Sequence, residues 1–185
     1  MSSHHYSDLI ALFDACFLSE FNTRLVRGRD EPIYIPRGLA VDGYHKQDFH
    51  QIVFAHGFFR SALHEIAHWL VAGDQRRMQL DYGYWYAPDG RNAQQQAKFE
   101  QVEVAPQALE WILTKACAHP FAVSVDNLSG EATDSTAFKR AVLKRVQALQ
   151  QCGLSARAGS FRKAVAQFYG TPLPLQGIHF SIDEL

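Results

Sequence analysis

The segment "FFRSALHEIAHWLVAG", residues 58–73, constrains this chain more than any other. Phe58, Phe59, Ala62, Leu63, Ile66, Ala67, Trp69, Leu70 and Val71 are apolar, so a helix formed here is buried on nearly every side. Its polar residues are not scattered. Ser61, His64, Glu65 and His68 fall at i, i+3, i+4 and i+7, one stripe along one face. A buried stripe of imidazoles and a carboxylate needs partners, because unpaired buried polar groups are costly. The helix is expected over 57–72, directly after a buried strand "QIVFA" (51–55), with Gly73 as a left-handed C-cap. Arg76 and Arg77 follow, where positive charge suits a helix C-terminus.

A metal ion satisfies such a stripe. Residues four apart stack one turn above each other, so both imidazoles reach one ion at about 2.0–2.1 Å. His64, Glu65 and His68 spell H-E-x-x-H, in which the glutamate holds a metal-bound water or orients a ligand. The pattern is short and also arises by chance, and a stripe facing solvent is the plain alternative. An open site needs a third protein ligand. No histidine follows at the H-E-x-x-H-x-x-G-x-x-H spacing, where this chain has Val71 and Asp74. Asp74 lies beyond the helix end. The stronger source is "KFEQVEVAPQALEW", in which Glu100, Glu103, Gln107 and Glu110 share one polar stripe. Glu103 is central there and Glu100 is the second candidate, while an ordinary solvated face is the plain reading of the same stripe. Two histidines and a carboxylate do not fix the metal. With zinc they make a hydrolase, peptidase or nuclease, with Glu65 as general base. With iron(II) they make the facial triad of non-haem oxygenases, with positions open for dioxygen.

The remaining chain bounds the class. Its 185 residues, 47% hydrophobic, suit one domain, residues 1–185, with a sizeable core. A net charge of -1 gives no basic field for nucleic acid. Cys16, Cys117 and Cys152 form no C-x-x-C pair and read as reduced thiols. The N-terminus lacks a signal-peptide pattern, and no apolar run approaches the roughly 18–20 residues of a membrane span, so a cytoplasmic protein is expected. His45, His50, His119 and His179 stand alone and read as surface or satisfied core residues.

Helical spacing predicts helices at 5–18, from Asn92 to about 118, from 134 or 135 to 151, and over 158–169. Asn92 and Gln95 fit a capping box, and Pro106 is expected to kink or divide its helix. "TRLVRG" and "EPIYIPRG" read as short strands separated by "GRD", and "MQLDYGYWYAPDGR" and "FAVSV" as further strand-like segments. The tail from 170 is irregular. The class is α+β, with helices in the majority.

The runs "NTRLVRGRDEPIYIP", "VFAHGFFRSALHEIAHW", "DYGYWYAPDGR" and "FEQVEVAPQALEW", in this order, resemble bacterial elongation factor P hydroxylase. The resemblance covers most of the chain, from "HHY" to about "FRKAVAQFYG". It implies a single zincin-like α+β domain, a small mixed sheet packed by several helices, with the metal site between two helices. It implies a monooxygenase that hydroxylates the lysine of elongation factor P after that lysine has received a β-lysyl group. It further implies iron(II) on His64, His68 and Glu103, with dioxygen as co-substrate and zinc as the alternative metal. No direct nucleic-acid partner and no membrane are implied.

Within that reading Glu65 orients a ligand, binds an ammonium group or holds water. Tyr82, Tyr84, Trp85 and Tyr86 either wall a channel for a long cationic side chain or pack a hairpin face. Asp81 and Asp89 meet ammonium groups or cap turns. His56, two turns before His64, lines the site or caps the helix start. Arg60, Arg76, Arg77 and Arg91 dock an acidic partner or are plain surface charges. Beside this reading stand a zinc hydrolase and a non-catalytic, metal-stabilised binding module.

Overall fold

The computed structural model describes residues 4–84, 90–124 and 134–185. Its order is α1 (Tyr6–Phe21), β1 (Thr23–Arg27), β2 (Ile33–Ile35), β3 (His50–Phe54), α2 (Phe59–Val71), α3 (Ala93–Ala116), α4 (Thr136–Cys152) and α5 (Ala156–Tyr169), with short 3-10 turns between and after them. The three strands make a mixed sheet in the order β1-β3-β2. The apolar run Ile52, Val53, Phe54 forms its centre and is fully buried, as suits a middle strand paired along both edges. Leu25 faces Ile52 in the parallel pair with β1, and Tyr34 faces Ile52 in the antiparallel pair with β2.

Helix α1 ends on Asn22, whose left-handed backbone turns the chain straight into β1. Between β3 and α2 the chain reverses through His56 and Gly57, both left-handed. Gly57 has φ 74°, a conformation that strains any residue with a side chain, and a Cβ there would also push on the Arg27 side chain at 2.9 Å. The Ala55 amide donates to Ser61 Oγ at 2.9 Å. The first residue of the motif stripe thus ties the strand end to the helix.

The apolar faces of α2 join one cluster that includes Phe13, Phe17, Leu63, Ile66, Trp69 and Phe161. Helix α3 is apolar on two sides. Leu109 and Leu113 belong to that cluster, whereas Trp111 and Ile112 join a second one with Phe138, Val142 and Val146 of α4. This leaves the stripe Glu103, Gln107, Glu110 facing α2.

Four local expectations are corrected. Gly73 does not cap α2, because Ala72 ends it in an extended conformation. The carbonyls at that end are taken by arginines from elsewhere: Arg157 of α5 donates to Trp69 O (3.1 Å) and Ala72 O (2.7 Å), and Arg77 donates to Ala72 O (2.8 Å). Pro106 does not divide α3, which runs unbroken from Ala93 to Ala116. Burial on both flanks outweighs the single amide hydrogen bond that proline omits. The capping box of Asn92 and Gln95 forms as expected. Residues 121–124 of "FAVSV" form no strand, since Ser124 gives its amide and carbonyl to the Gln107 side chain (3.0 and 2.7 Å). Val125 lies outside the described residues. "MQLDYG" forms 3-10 turns, Arg76–Met78 and Leu80–Gly83, rather than a strand. Asp81, Tyr82 and Gly83 are all left-handed, which no strand permits. Among the described residues no helix is long and apolar enough to cross a membrane.

Arg157 also lies 4.7 Å from the centre of the Trp69 ring. Arg157→Ala is expected to destabilise the fold by about 1.5–3 kcal/mol, the range for hydrogen bonds to a charged group. Arg157→Lys should restore only part, because an ammonium lacks the planar fork. Urea unfolding measures this, and an unchanged midpoint in Arg157→Ala would show that α2 needs no such cap.

Candidate metal centre

His64 and His68 stand one turn apart on α2 and point the same nitrogens at each other, Nε2 to Nε2 3.1 Å. Glu103 of α3 faces both. Its Oε1 lies 3.1 Å from His68 Nε2 and its Oε2 3.6 Å from His64 Nε2. One ligand atom from each residue falls within 4.8 Å of the others. With metal–ligand bonds of about 2.1 Å, neighbouring ligand atoms sit about 3.0 Å apart in an octahedral shell and about 3.4 Å apart in a tetrahedral one. The observed spacings suit one ion held from one side. Glu103 Oε1 is buried and makes no hydrogen bond. A cation between the three groups would satisfy this oxygen.

The α3 stripe is not solvated. Glu103, Gln107 and Glu110 are 1%, 0% and 4% exposed. His64 Nδ1 lies 2.8 Å from Glu110 Oε2. The carboxylate only accepts, so Nδ1 carries a proton and Nε2 is the nitrogen turned toward His68 and Glu103. Gln107 Nε2 donates to Glu103 Oε2 at 3.1 Å. Glu103 thus pairs with His68 and Glu110 with His64, a reversed order that runs the two stripes past each other in opposite directions. Among the protein groups themselves, burial pushes the His64 imidazole down, but Glu110, Glu103 and Glu65 outweigh it and raise it to about 10. Burial pushes the Glu103 carboxyl up, yet His68, His64 and Gln107 hold it at about 2.

The three residues open on a cleft of about 1360 Å³ that Glu65, Asp81, Tyr82, Tyr84 and Glu110 also line. Glu65 is 9% exposed, and burial raises its carboxyl and that of Asp81. Tyr84 packs under the Arg76 guanidinium at 4.0 Å.

Other candidates go elsewhere. Glu100 accepts from Gln96 Nε2 at 3.1 Å and stands outside the group of three. The His56 ring lies against Phe58 and is not among the residues lining the cleft, and the helix start has no side-chain cap. Asp74 pairs with Arg77 at 2.6 Å. Arg91 is buried against Phe99 rather than exposed for docking. Trp85, Tyr86 and Asp89 lie outside the described residues. Gln107 and Glu110 were visible in the α3 stripe, but stripe membership alone does not tell a ligand from the group that orients one.

Glu110→Gln is expected to weaken divalent-metal binding by about 10–100-fold, the usual cost of losing an outer-shell partner of a ligating histidine. Glu103→Ala should abolish stoichiometric binding, and Glu100→Ala should leave it intact. Cobalt(II) titration followed by absorbance measures all three. Loss in Glu100→Ala with retention in Glu103→Ala would move the third ligand.

Comparison with known proteins covers the segment that carries these residues. The family elongation factor P hydroxylase matches residues 12–180. A relative from Haemophilus influenzae, named elongation factor P lysine hydroxylase, is 51% identical over 168 residues, which is 91% of this chain and 91% of the relative. The match spans β1 to α5 and therefore both helices that carry the histidine and glutamate stripes. This chain belongs to the elongation factor P hydroxylase family.

Proposed function

We propose that residues 1–185 act as one zincin-like, metal-dependent hydroxylase domain that adds an oxygen atom to the β-lysylated lysine of elongation factor P in the cytoplasm. The observation that carries this is the convergence of His64 Nε2, His68 Nε2 and the Glu103 carboxylate on one side of an open cleft. In this reading the three residues hold iron(II), which when bound supplies the dioxygen activation that an unactivated carbon requires. Zinc is the alternative occupant of the same donors.

The protein groups then have separate tasks. Glu110 keeps the His64 proton on Nδ1, and Gln107 fixes the Glu103 carboxylate. All three ligands come from α2 and α3, so the cleft side stays open to substrate. Glu65 and Asp81 place two carboxylates on the cleft wall. They suit the ammonium groups of a β-lysyl-lysine side chain, and the Tyr82 and Tyr84 rings suit its aliphatic stem. Glu65 is thus read as the group that binds and orients the cationic end. A hydrolase would instead use it as the base, but the family to which the chain belongs supports hydroxylation.

Protein loaded anaerobically with iron(II), then given β-lysylated elongation factor P, reductant and oxygen, should add one oxygen atom to it by intact-mass spectrometry. No gain with wild type, or an undiminished gain with His64→Ala, would sink the proposal. Glu65→Gln and Asp81→Asn should each raise KM by about 10–100-fold, since one charged hydrogen bond is worth about 1.5–3 kcal/mol, while metal content stays unchanged. If Glu65→Gln lost all turnover at unchanged KM, Glu65 would be a chemical base.

A further inference from the structure

His68 is reached from two sides. Besides the cleft, a second pocket of about 170 Å³ meets it from the far end of α2. Val71 and Ala72, in the turn after His68, make one wall, and Val102 and Pro106, one turn apart on α3, make the facing wall. Among the described residues the pocket shares only His68 and Tyr84 with the cleft, so Tyr84 stands between the two. It runs from exposed Val71 and Gly73 at the surface, past half-buried Val102 and Tyr84, to buried Pro106 and His68.

The two spaces differ in chemistry. On α3 the apolar row Val102, Pro106 runs beside the polar row Glu103, Gln107, Glu110, so one helix turns carboxylates to the histidines and hydrocarbon to the pocket. Among the described residues no carboxylate borders the pocket, whereas Glu65, Asp81, Glu103 and Glu110 line the cleft. Its one charged side chain, Arg76, is engaged: Nη1 donates to Tyr82 O at 2.9 Å, and the guanidinium lies 4.0 Å from the centre of the Tyr84 ring. Backbone oxygens at the rim are engaged as well. Ala72 O accepts from Arg77 and Arg157 at 2.8 and 2.7 Å, and Gly73 O accepts from the Arg76 and Arg77 amides at 3.1 Å each. A pocket holds ordered water through several free polar partners, and these groups are already taken. A long cation is drawn to the carboxylates of the cleft and repelled here by Arg76.

We propose that this side pocket binds a small, neutral, apolar molecule and that its occupant is dioxygen on its way to the metal centre. The second half of the proposal rests on the hydroxylase reading above. In that reading the cationic side chain of the substrate fills the cleft and covers His68 from that side. The pocket reaches the same histidine behind Tyr84, so a gas enters while the substrate is in place. Dioxygen carries no charge and forms weak hydrogen bonds, so hydrocarbon walls favour it over water. Pro106 gains a role as well. It gives up one amide hydrogen bond of α3 and supplies an apolar ring to the inner wall.

The probe is xenon, a neutral apolar atom that enters apolar protein cavities. Full-length, metal-free protein with labelled valine methyl groups is titrated with xenon and followed by nuclear magnetic resonance. The Val71 and Val102 methyl signals should shift saturably. Val71→Phe fills the mouth from an exposed position, where the fold is not at stake, and should abolish the shift at Val102. In the iron-loaded enzyme the same variant should raise KM for dioxygen several-fold, with KM for β-lysylated elongation factor P and kcat at saturating dioxygen unchanged. Val102→Ala, which widens the pocket, should not raise KM for dioxygen, and this separates blockage from a disturbed helix. A wild type without the xenon shift overturns the site. A Val71→Phe protein that excludes xenon yet keeps the wild-type KM for dioxygen overturns the route. Wild type that takes up xenon but adds no oxygen to elongation factor P overturns the hydroxylase reading and the dioxygen assignment with it, while the apolar site stands.

Discussion

The structure depends on one buried polar seam, where the His64–His68 stripe of α2 meets the Glu103–Gln107–Glu110 stripe of α3. Two helices that are apolar elsewhere press their polar faces together, away from bulk water. An unmade hydrogen bond there costs the full desolvation of the group, and an unpaired charge costs more. The seam therefore fixes how the helices can slide. Glu110 must meet His64 for Glu103 to meet His68, and a shift of one turn would carry a carboxylate past the histidine pair. The surrounding apolar clusters supply the stability, while the seam supplies the register. After every protein contact is made, Glu103 Oε1 still lacks a hydrogen bond. It lies 3.1 Å from His68 Nε2 while its partner oxygen faces His64 Nε2, an arrangement that a cation would complete.

The C-terminal end of α2 is held from a distance. Arg157 and Arg77 take the last carbonyls of the helix, and Arg157 also stacks on Trp69. The Arg77 carbonyl in turn accepts from Tyr34. The anchoring of the motif helix and the placement of Tyr34 thus share a residue. The left-handed turn at Asp81 and Tyr82 closes the same region from the cleft side. It puts one carboxylate on the cleft wall and one phenol beside His68, and the Tyr34 amide keeps it in place.

Local patterns in the chain announced what local physics decides. The apolar run of β3, the motif helix and the capping box at Asn92 are each determined within a few residues, and each forms where its pattern lies. Gly73 shows where that stops, because its expected role is taken by Arg157, which no neighbouring residue foretells. Pro106 fails as a breaker since the burial on both sides of α3 is a tertiary quantity. Ser124 leaves the expected strand because Gln107, on another element, takes its backbone groups. In the site, the stripes on α2 and α3 were legible as stripes. Their facing register was not, and with it the distinction between Glu103, which meets both histidines, and Glu110, which meets the far nitrogen of one.

H-E-x-x-H by itself is silent about chemistry, and the second helix explains why. The motif supplies two nitrogens and a neighbouring carboxylate to any ion. What that carboxylate does depends on what faces it. Here Glu65 lines the cleft with Asp81, a second carboxylate held by a strained turn, and the ring next to that aspartate stacks on His68. A base for hydrolysis needs a water and a nearby acid partner, whereas in the proposed reading these two carboxylates, beside the Tyr82 and Tyr84 rings, would receive the cationic end of the substrate in a cleft that Arg27, Arg29, Arg60 and Arg91 also line.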